Sequence, residues 1–540
     1  MATEVAGFAP PRGEVFSRRA TGLVRVGTPL RLLILNFANI GLVYIMFTYW
    51  AHPAVFPRSH LLAAIGIAAV ANAIFCLGLA IMTSSFPRSG GEYVYVSRAI
   101  HPVVGFSISF AAAMSQAFWV GIGGYWIATL ALAPILSTFG ASTGSETLIG
   151  WGTDLSSPTA GFVFGTIFVV LAALLNLGGL RAYFKFQAIN FAIGIVTLLV
   201  LLGVFLFSSH SDFITGLNEY AGAAGGSENA YEDTLAAASG AGQPTGFSLR
   251  DTLGILGIIF VVGIASTAIA GEVRTPRKSQ VIGSVGGSLV YSLAIFLLAL
   301  LMFKPVTEKF NEAAAWASYN TDNYYEIIPS DPTFITWAGV LVDNPIVLLL
   351  VGIGLVVWSY FWIPSAMIIA TRAIFAWSFD RLIPSKLSEV SERTHSPVWA
   401  VLAVALVGEA FLLAYWKGPD WFDFLAPFLA YVIVFLVISI PMIVAAFRPS
   451  TQPFIREAGW TKRIAGVPIL ALCGAVGVVY WAAALYFTQR YDLLLLNGSE
   501  QRILTAVQFG LPILIFAGVY LWRRSQGINL DLAYKELPPE

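Results

Sequence analysis

The chain has 540 residues, of which 57% are hydrophobic and only 11% are charged. A soluble protein has roughly a quarter of its residues charged, so this composition excludes ordinary soluble, disordered, collagen-like and coiled-coil proteins. The 30 basic and 30 acidic residues cancel, which gives no argument for a nucleic-acid partner. The two cysteines lie in separate apolar runs and indicate buried thiols, not a disulfide framework.

Twelve apolar runs are each long enough to cross a membrane, which takes about 20 residues in a helix. They lack the alternation of polar and apolar residues that is typical of membrane-barrel strands. The sequence therefore predicts an all-α polytopic membrane protein whose solvent is the lipid bilayer. We number the predicted transmembrane helices as spans 1 to 12, at 30–50, 61–83, 103–136, 161–180, 186–208, 250–270, 281–303, 346–376, 397–416, 422–447, 466–488 and 503–522.

Basic residues orient the spans, because loops that stay in the cytoplasm are enriched in Lys and Arg. An even number of spans places both termini on one side of the membrane. That side carries 23 basic residues and the other side 7, which together make the 30 in the chain. We therefore expect a multi-pass plasma (inner) membrane protein with cytoplasmic tails at 1–29 and 523–540. Residues 209–249 are expected to form a mobile extracellular loop with some short helix.

No cluster of His, Cys, Asp or Glu lies within the spans, so we expect no metal site, no catalytic residues and no enzymatic activity. One acid, Glu409, lies near the middle of span 9 in Val-Gly-Glu-Ala-Phe. A carboxylate inside the membrane is costly and marks a functional candidate, here a coupling-ion site. A neutral Glu that hydrogen-bonds to a neighbouring helix is the alternative interpretation.

Small and polar residues interrupt two of the apolar runs. Span 1 contains Asn36-Phe-Ala-Asn39-Ile-Gly41, and span 6 contains Phe260-Val-Val-Gly263-Ile-Ala-Ser266-Thr267. Glycine weakens a helix, and Asn or Ser side chains can satisfy the backbone groups that a break sets free. Paired interruptions in the two halves of a transporter indicate a binding site near the membrane midplane. Glycines that only allow close helix packing are the alternative.

Four motifs on the predicted cytoplasmic side carry a family resemblance. They are Phe86-Pro-Arg-Ser-Gly-Gly-Glu-Tyr-Val-Tyr-Val-Ser-Arg98, Asn176-Leu-Gly-Gly179-Leu-Arg181, Ala270-Gly-Glu272-Val-Arg-Thr-Pro-Arg277-Lys278, and Thr371-Arg372 followed by Phe379-Asp380-Arg-Leu-Ile-Pro384. In this order and spacing the chain resembles the amino acid–polyamine–organocation (APC) transporter superfamily, in particular its amino acid permeases.

The resemblance implies a leucine-transporter-like fold, with 30–208 and 250–447 as two inverted five-helix repeats and 466–522 as two peripheral helices. It also implies that spans 1 and 6 unwind near the midplane. Backbone N–H groups at such a break suit a substrate carboxylate, and carbonyl groups suit an ammonium group. The expected cradle consists of Asn39, Ile40, Gly41 and Leu42 in span 1 and Gly263, Ile264, Ala265 and Ser266 in span 6.

The resemblance suggests coupling to Na⁺ or H⁺ and no other cofactor. A Na⁺ site between spans 1 and 8 would use the hydroxyl groups of Ser365 and Ser359, although such hydroxyls commonly bond back to their own helix. Some members carry a lysine in span 5 where this chain has Gly194, which argues against that proton-linked mechanism. Ion pairs among Arg88, Glu92, Glu272, Arg274 and Arg277 are expected to gate the cytoplasmic mouth, unless these residues only keep the loops inside.

The sequence thus predicts a secondary active permease that moves amino acids or similar small zwitterions across the plasma membrane by alternating access. Polyamines or other organic amines are the alternative substrate class. A transporter-like sensor or a scaffold subunit of a membrane complex is the alternative function, and an ion channel is less favoured because no filter motif is present. The sequence gives no indication of the oligomeric state.

Overall fold

The computed structural model describes residues 22–41, 52–259, 261–342, 344–418, 426–491 and 498–527, together with Leu530, Asp531 and Tyr534. Ten of the predicted spans are helices long and apolar enough to cross a membrane in this part of the chain. The all-α membrane architecture is therefore confirmed. These helices are Leu61–Ser85, Pro102–Gly140, Pro158–Leu177, Gly179–Phe207, Pro276–Met302, Pro345–Phe379, Val398–Lys417, Leu429–Phe447, Ile469–Arg490 and Ser499–Ser525.

The helix starts follow from local capping chemistry. Thr28, His101, Ser157 and Asn344 each accept a hydrogen bond from a backbone N–H of the first turn, and each precedes a proline. A polar cap followed by proline favours a helix start, because proline lacks the N–H that the first turn leaves unpaired. The polar cap and proline together therefore define the beginnings of spans 1, 3, 4 and 8.

Spans 1 and 6 differ from the other ten. The described part of span 1 is a helix of 12 residues, Pro29–Ile40. Span 6 consists of the short helix Leu249–Gly254, a 3₁₀ turn at Ile255–Ile258, a non-helical stretch, and a single helical turn at Ala265–Ala268. A further 3₁₀ turn, Ala270–Glu272, ends span 6. Span 6 is thus interrupted in the structure, and the described helix of span 1 ends just before Gly41; the rest of span 1 lies outside the described residues.

Three of the long spans contain local irregularities. Span 3 passes from Pro102–Trp126 through a π-helical segment, Ile127–Leu132, into Ala133–Thr143. Span 7 passes from Pro276–Gln280 through a π-helical segment, Val281–Gly286, into Gly287–Met302. Span 8 divides into Pro345–Tyr360 and Ile363–Phe379. Such π segments are rare and occur frequently at functional sites.

The spans pack as two groups. Spans 1 and 2 both contact spans 6 and 7, which also contact each other, and spans 3, 4, 8 and 9 contact one another. Span 5 lies against spans 1, 4, 7 and 8, and span 10 joins span 3 to span 11. Span 12 lies outside, against spans 3 and 10, and presents large apolar side chains to the surroundings. The breaks of spans 1 and 6 therefore lie inside one group and face the other.

The outer side of the molecule, opposite the predicted cytoplasmic tails, carries a small helical cap. Residues 209–249 form the helices His210–Ala223 and Ala230–Gly240, so the expected mobile loop is largely helical. Phe213, Tyr231, Phe310 and Trp337 join the cap into one aromatic cluster, with ring centroids 4.7 to 5.6 Å apart. The remaining outer helices are Glu146–Leu155, Glu308–Asn320, Tyr324–Ile327 and Phe334–Gly339.

The opposite side, which we call the inner side, carries the helices Glu92–Ala99 and Gln452–Glu457 and a 3₁₀ turn at Ser385–Ser388. Two two-residue strands, Arg463–Ile464 and Val467–Pro468, pair antiparallel with Arg463 opposite Pro468. Ala465 and Gly466 form their turn with positive φ angles of 48° and 81°, as a tight hairpin requires.

Candidate functional site

The described helix of span 1 is followed by a glycine, Gly41, at which a side chain would be strained. Gly41 has a φ of 73°, a region that L residues rarely adopt. A Cβ at this position would lie 2.9 Å from Cγ of Trp362, in the turn between the two halves of span 8. The carbonyl of Gly41 accepts a hydrogen bond from the Tyr291 hydroxyl of span 7 at 3.0 Å. The next cradle residue, Leu42, lies outside the described residues.

The break in span 6 covers residues 259–264, of which Phe260 is not described. Side chains from spans 2 and 7 satisfy backbone groups that the break sets free. The N–H of Gly263 donates to Sγ of Cys76 at 3.3 Å, and the Ser288 hydroxyl donates to the carbonyl of Val261. The Ile264 N–H donates to the carbonyl of Val262 at 3.0 Å. Several groups of the predicted cradle are therefore paired within the protein in this conformation.

A buried polar network joins spans 1, 6 and 7. Asn36 donates to the Ser266 hydroxyl at 2.9 Å and accepts from the Ser266 N–H at 2.9 Å. The Ser266 hydroxyl donates to Gln280 at 2.8 Å and lies 3.2 Å from the Ser284 hydroxyl. All four side chains are fully buried. Such a network costs free energy when any member loses its partner. A shift of one span against another would break these bonds, so the network fixes the register of spans 1, 6 and 7.

Glycines allow this close approach of span 7. A Cβ at Gly263 would lie 2.4 Å from the Ser284 carbonyl oxygen, and one at Gly287 would lie 2.8 Å from Cβ of Asn36. Gly263 therefore serves packing against span 7 as well as interrupting span 6, so both interpretations of the sequence pattern hold at this residue.

The structure brings span 1 to span 8 at the predicted coupling-ion position. The Asn39 amide donates to the Ser365 hydroxyl at 3.4 Å, and that hydroxyl donates to the Trp362 carbonyl at 2.7 Å. Ser365 thus bonds back to its own chain, as the alternative interpretation expected. Ser359 is fully buried, and its hydroxyl has no hydrogen-bond partner among the described residues.

The inner ends of these spans are closed by a buried ion pair. Both nitrogens of the Arg372 fork contact Glu272, Nε with Oε1 at 3.0 Å and Nη2 with Oε2 at 3.1 Å. The Ser89 hydroxyl also donates to Glu272, at 3.4 Å. The carbonyl of Glu272 accepts from the N–H groups of Val26 and Gly27 at 2.9 and 2.8 Å. One residue of span 6 therefore holds the segment before span 1, the loop after span 2, and span 8.

Comparison with known protein families identifies the family of the chain. A family model described as amino acid permease matches residues 28–492. The chain belongs to the amino acid permease family. No curated protein sequence matches the chain. The match begins at the cap of span 1 and runs through span 11, so it includes both breaks and the inner closure of this permease.

The other predicted gate residues of the permease do not pair with one another in the described part of the chain. The Arg274 side chain donates to the carbonyl of Arg25 at 3.2 Å, and the Arg277 guanidinium lies 4.5 Å from the ring centre of Trp460. Arg88 and Arg277 line a common cavity. The predicted five-residue ion-pair network is therefore not formed among these residues, and the partner of Glu272 is Arg372 instead.

Glu92 is buried at the start of the helix Glu92–Ala99, with 3% of its surface exposed. Burial raises the pKa of this carboxyl from 4.5 to about 7, against a smaller lowering by hydrogen bonds. In the same helix the Tyr93 hydroxyl donates to Asp380 at 2.8 Å, and Arg98 lies 3.4 Å from that carboxylate. This helix therefore ties the loop after span 2 to the inner end of span 8.

Glu409 lies apart from both breaks. It is half-buried in span 9 and accepts a hydrogen bond of 2.6 Å from the Thr166 hydroxyl of span 4. This contact to a neighbouring helix is the one that the alternative interpretation expected. A role of Glu409 in proton coupling stays a prediction. Among the described residues no group of three or more His, Cys, Asp or Glu side chains is placed to hold a metal ion.

The sequence motifs included Asn36 and Arg372 but assigned neither residue to the site, and they did not include Gln280. Asn36 and Gln280 are polar residues in or beside apolar runs, and Arg372 is a cation within the apolar helix Ile363–Phe379. A charge or amide in such a run is expected to have a partner. That signal identifies candidates, but it does not say which residue of another span pairs with each.

Proposed function

We propose that the permease is a secondary active transporter that moves amino acids or similar small zwitterions across the plasma membrane by alternating access. The observation that carries this proposal is the pairing of Asn36 of span 1 with Ser266 of span 6, which holds the helix that ends at Ile40 against the helical turn that follows the break at residues 259–264. Backbone N–H and carbonyl groups at breaks of this kind can bind the carboxylate and ammonium groups shared by all free amino acids.

The proposed cradle consists of residues 39–42 and 263–266. Substrate binding would exchange internal hydrogen bonds, such as those of Gly41 with Tyr291 and of Gly263 with Cys76, for bonds to the substrate. The cradle residues carry no acidic or basic side chain. A substrate without net charge therefore fits better than a polyamine, which would require acidic partners in so dry a site.

The division of the spans into two packed groups supports the leucine-transporter-like arrangement of inverted repeats at 30–208 and 250–447, with 466–522 peripheral. In the proposed motion, spans 1, 2, 6 and 7 rock against spans 3, 4, 8 and 9. The pair of Glu272 and Arg372 joins span 6 to span 8, and so joins the two groups. Opening toward the inner side would break this pair. The inner side is proposed to be the cytoplasmic side, where both termini lie.

The driving force is proposed to be a gradient of Na⁺ or H⁺. Ser365 is the first Na⁺ candidate because Asn39 brings span 1 to its hydroxyl. Ser359 is the second, because its buried hydroxyl has no partner among the described residues and is available to a ligand. Glu409 is the candidate for H⁺, since a carboxyl within a span can change its protonation state during transport.

The test is uptake into proteoliposomes that contain the purified full-length protein. A panel of labelled amino acids and organic amines is offered with and without gradients of Na⁺ and of pH. Accumulation of one or more neutral amino acids, dependent on one gradient, supports the proposal. Substrate binding without accumulation under any gradient would instead favour a sensor, and the absence of both would favour a scaffold subunit.

A further inference from the structure

A cavity of about 450 Å³ lies on the inner side, outside the proposed transport site. It opens between the inner ends of spans 2 and 7 and the helix Gln452–Glu457, which follows span 10. The described polar and aromatic residues of its wall are Ser84, Ser85, Arg88, Arg277, Phe454 and Glu457. Two guanidinium groups and two hydroxyl groups thus surround a space large enough for a small ligand.

Arg277 is held at this wall by an aromatic ring. Its guanidinium lies 4.5 Å from the ring centre of Trp460, a favourable cation–π distance. Glu457 lines the same cavity but does not form an ion pair with Arg277. Within the described part of the chain, the positive charge of Arg277 is therefore not neutralised by an acidic side chain.

Ser85 supplies the second, independent observation. Its side chain is 4% exposed, and its hydroxyl has no hydrogen-bond partner among the described residues. The neighbouring Ser84 hydroxyl, by contrast, donates to the Ile81 carbonyl at 3.2 Å and accepts from Trp460 Nε1 at 2.8 Å. A buried hydroxyl without a partner costs about 1–3 kcal/mol, so a ligand oxygen beside Ser85 would be stabilising.

The inner end of span 2 also lies at this cavity, and the carbonyl groups at a helix C-terminus disfavour an anion. Here one of those carbonyls is already occupied. The N–H of Phe86 donates to the Met82 carbonyl at 2.9 Å. The charged side chains of the wall are Arg88, Arg277 and Glu457, which give it a net positive charge.

A second, smaller cavity of about 200 Å³ adjoins the other side of Trp460. Its described wall includes Arg456, Lys462 and Arg463 and no acidic residue. The region around Trp460 is thus basic on both sides, at the membrane boundary where tryptophan is enriched. Basic pockets of this kind between the inner ends of membrane helices suit anionic headgroups.

We propose that the larger cavity binds a phosphate group, carried either by an anionic phospholipid or by a soluble phosphate compound. Arg88 and Arg277 supply the charge, because the guanidinium fork matches two phosphate oxygens at once. Ser85 adds a hydrogen bond. The loop of Arg88 continues into Ser89 and Gly90, which pair with Ile269 and Ala268 of span 6. A bound phosphate group therefore stabilises the closed inner side.

The test measures the thermal unfolding midpoint of the full-length protein under two sets of conditions. In detergent, inorganic phosphate is titrated at constant ionic strength. In nanodiscs, phosphatidylcholine alone is compared with a mixture containing phosphatidylglycerol. Two variants remove cavity groups, Arg277→Gln and Ser85→Ala. The matched control is Lys278→Gln, which removes an equally exposed neighbouring cation that does not line the cavity.

Binding is expected to raise the midpoint of the wild type and of Lys278→Gln. Arg277→Gln is expected to weaken the apparent affinity by about tenfold or more, as loss of a charged hydrogen bond does. Stabilisation by phosphatidylglycerol alone identifies the lipid as the source, and stabilisation by inorganic phosphate identifies a soluble compound. The proposal is overturned if neither ligand raises the midpoint, or if Lys278→Gln lowers the effect as much as Arg277→Gln and Ser85→Ala do.

Discussion

Arg372 of span 8 donates two parallel hydrogen bonds, of 3.0 and 3.1 Å, to Glu272 of span 6, and each residue is only 1% exposed. A buried ion pair of this kind contributes little net stability compared with a well-packed apolar pair. Removal of one of the two charged side chains is costly, because the charge of the other then stays buried without a partner. The pair joins span 6 of one group to span 8 of the other, so removal of one partner should be costly.

Arg372→Gln is expected to lower the free energy of unfolding by about 3–5 kcal/mol, since it leaves Glu272 charged and buried. The double variant Glu272→Gln/Arg372→Gln should recover part of that loss. Thermal unfolding in detergent measures both. The control is Arg274→Gln, which removes an exposed cation two residues from Glu272. If Arg372→Gln and Arg274→Gln unfold at the same temperature, removal of one partner of the buried pair is not costly.

Gly41→Val is expected to abolish uptake while the protein still inserts into the membrane. The substitution places a branched side chain at a φ of 73° and directs its Cβ to within 2.9 Å of Trp362. The control is Gly66→Val in span 2, where a Cβ meets no atom within 4 Å. Membrane yield and proteoliposome uptake are measured for both. Normal uptake by Gly41→Val would remove the span 1 break from the mechanism.

Asn36→Ala is expected to destabilise the protein by about 1–3 kcal/mol, because it removes the acceptor of the buried Ser266 N–H. Since Asn36 and Ser266 belong to one network, the effects of Asn36→Ala and Ser266→Ala should not add in the double variant. Asn39→Ala, at a half-buried position with a single long bond of 3.4 Å, should cost less. Additive losses would show that Asn36 and Ser266 contribute independently.

How far the sequence determines these features depends on their range along the chain. The predicted starts of spans 3 and 8, at 103 and 346, lie one residue after Pro102 and Pro345, and the predicted start of span 4, at 161, lies three residues after Pro158, because a run of apolar residues is a local signal. The helix end at Gly41 and the break at Gly263 could also be predicted, because glycine weakens a helix at its own position.

The pairings could not be anticipated. Asn36 and Ser266 are separated by 230 positions, and Glu272 and Arg372 by 100. Which buried polar group meets which depends on the rotation of each span about its axis, and apolar spans buried on most sides carry little periodic signal of that rotation. The cavity beside Ser85 depends in addition on the position of the loop after span 10. These features therefore require coordinates.

Glu409→Gln tests the role of the carboxyl within span 9. If Glu409 binds the coupling proton, this variant should change the pH dependence of uptake, because the amide cannot exchange a proton. Thr166→Val is the companion variant, since it removes only the 2.6 Å hydrogen bond from span 4. Uptake is measured across a range of pH for both. An unchanged profile in Glu409→Gln would leave the residue with a structural role alone.

The final prediction concerns Glu92. Burial raises the pKa of this carboxyl from 4.5 to about 7. Between these values the folded protein binds a proton that the unfolded chain has lost, so stability falls as the pH rises from about 4.5 to about 7. The loss attributable to this group is on the order of 3 kcal/mol. Glu92→Gln should remove that part of the pH dependence and be the more stable protein at pH 8.

The control for Glu92→Gln is Glu392→Gln, at an exposed position, which should follow the wild type. Unfolding midpoints from pH 5 to pH 8 measure the difference, and parallel curves for wild type and Glu92→Gln would contradict a buried proton at this helix.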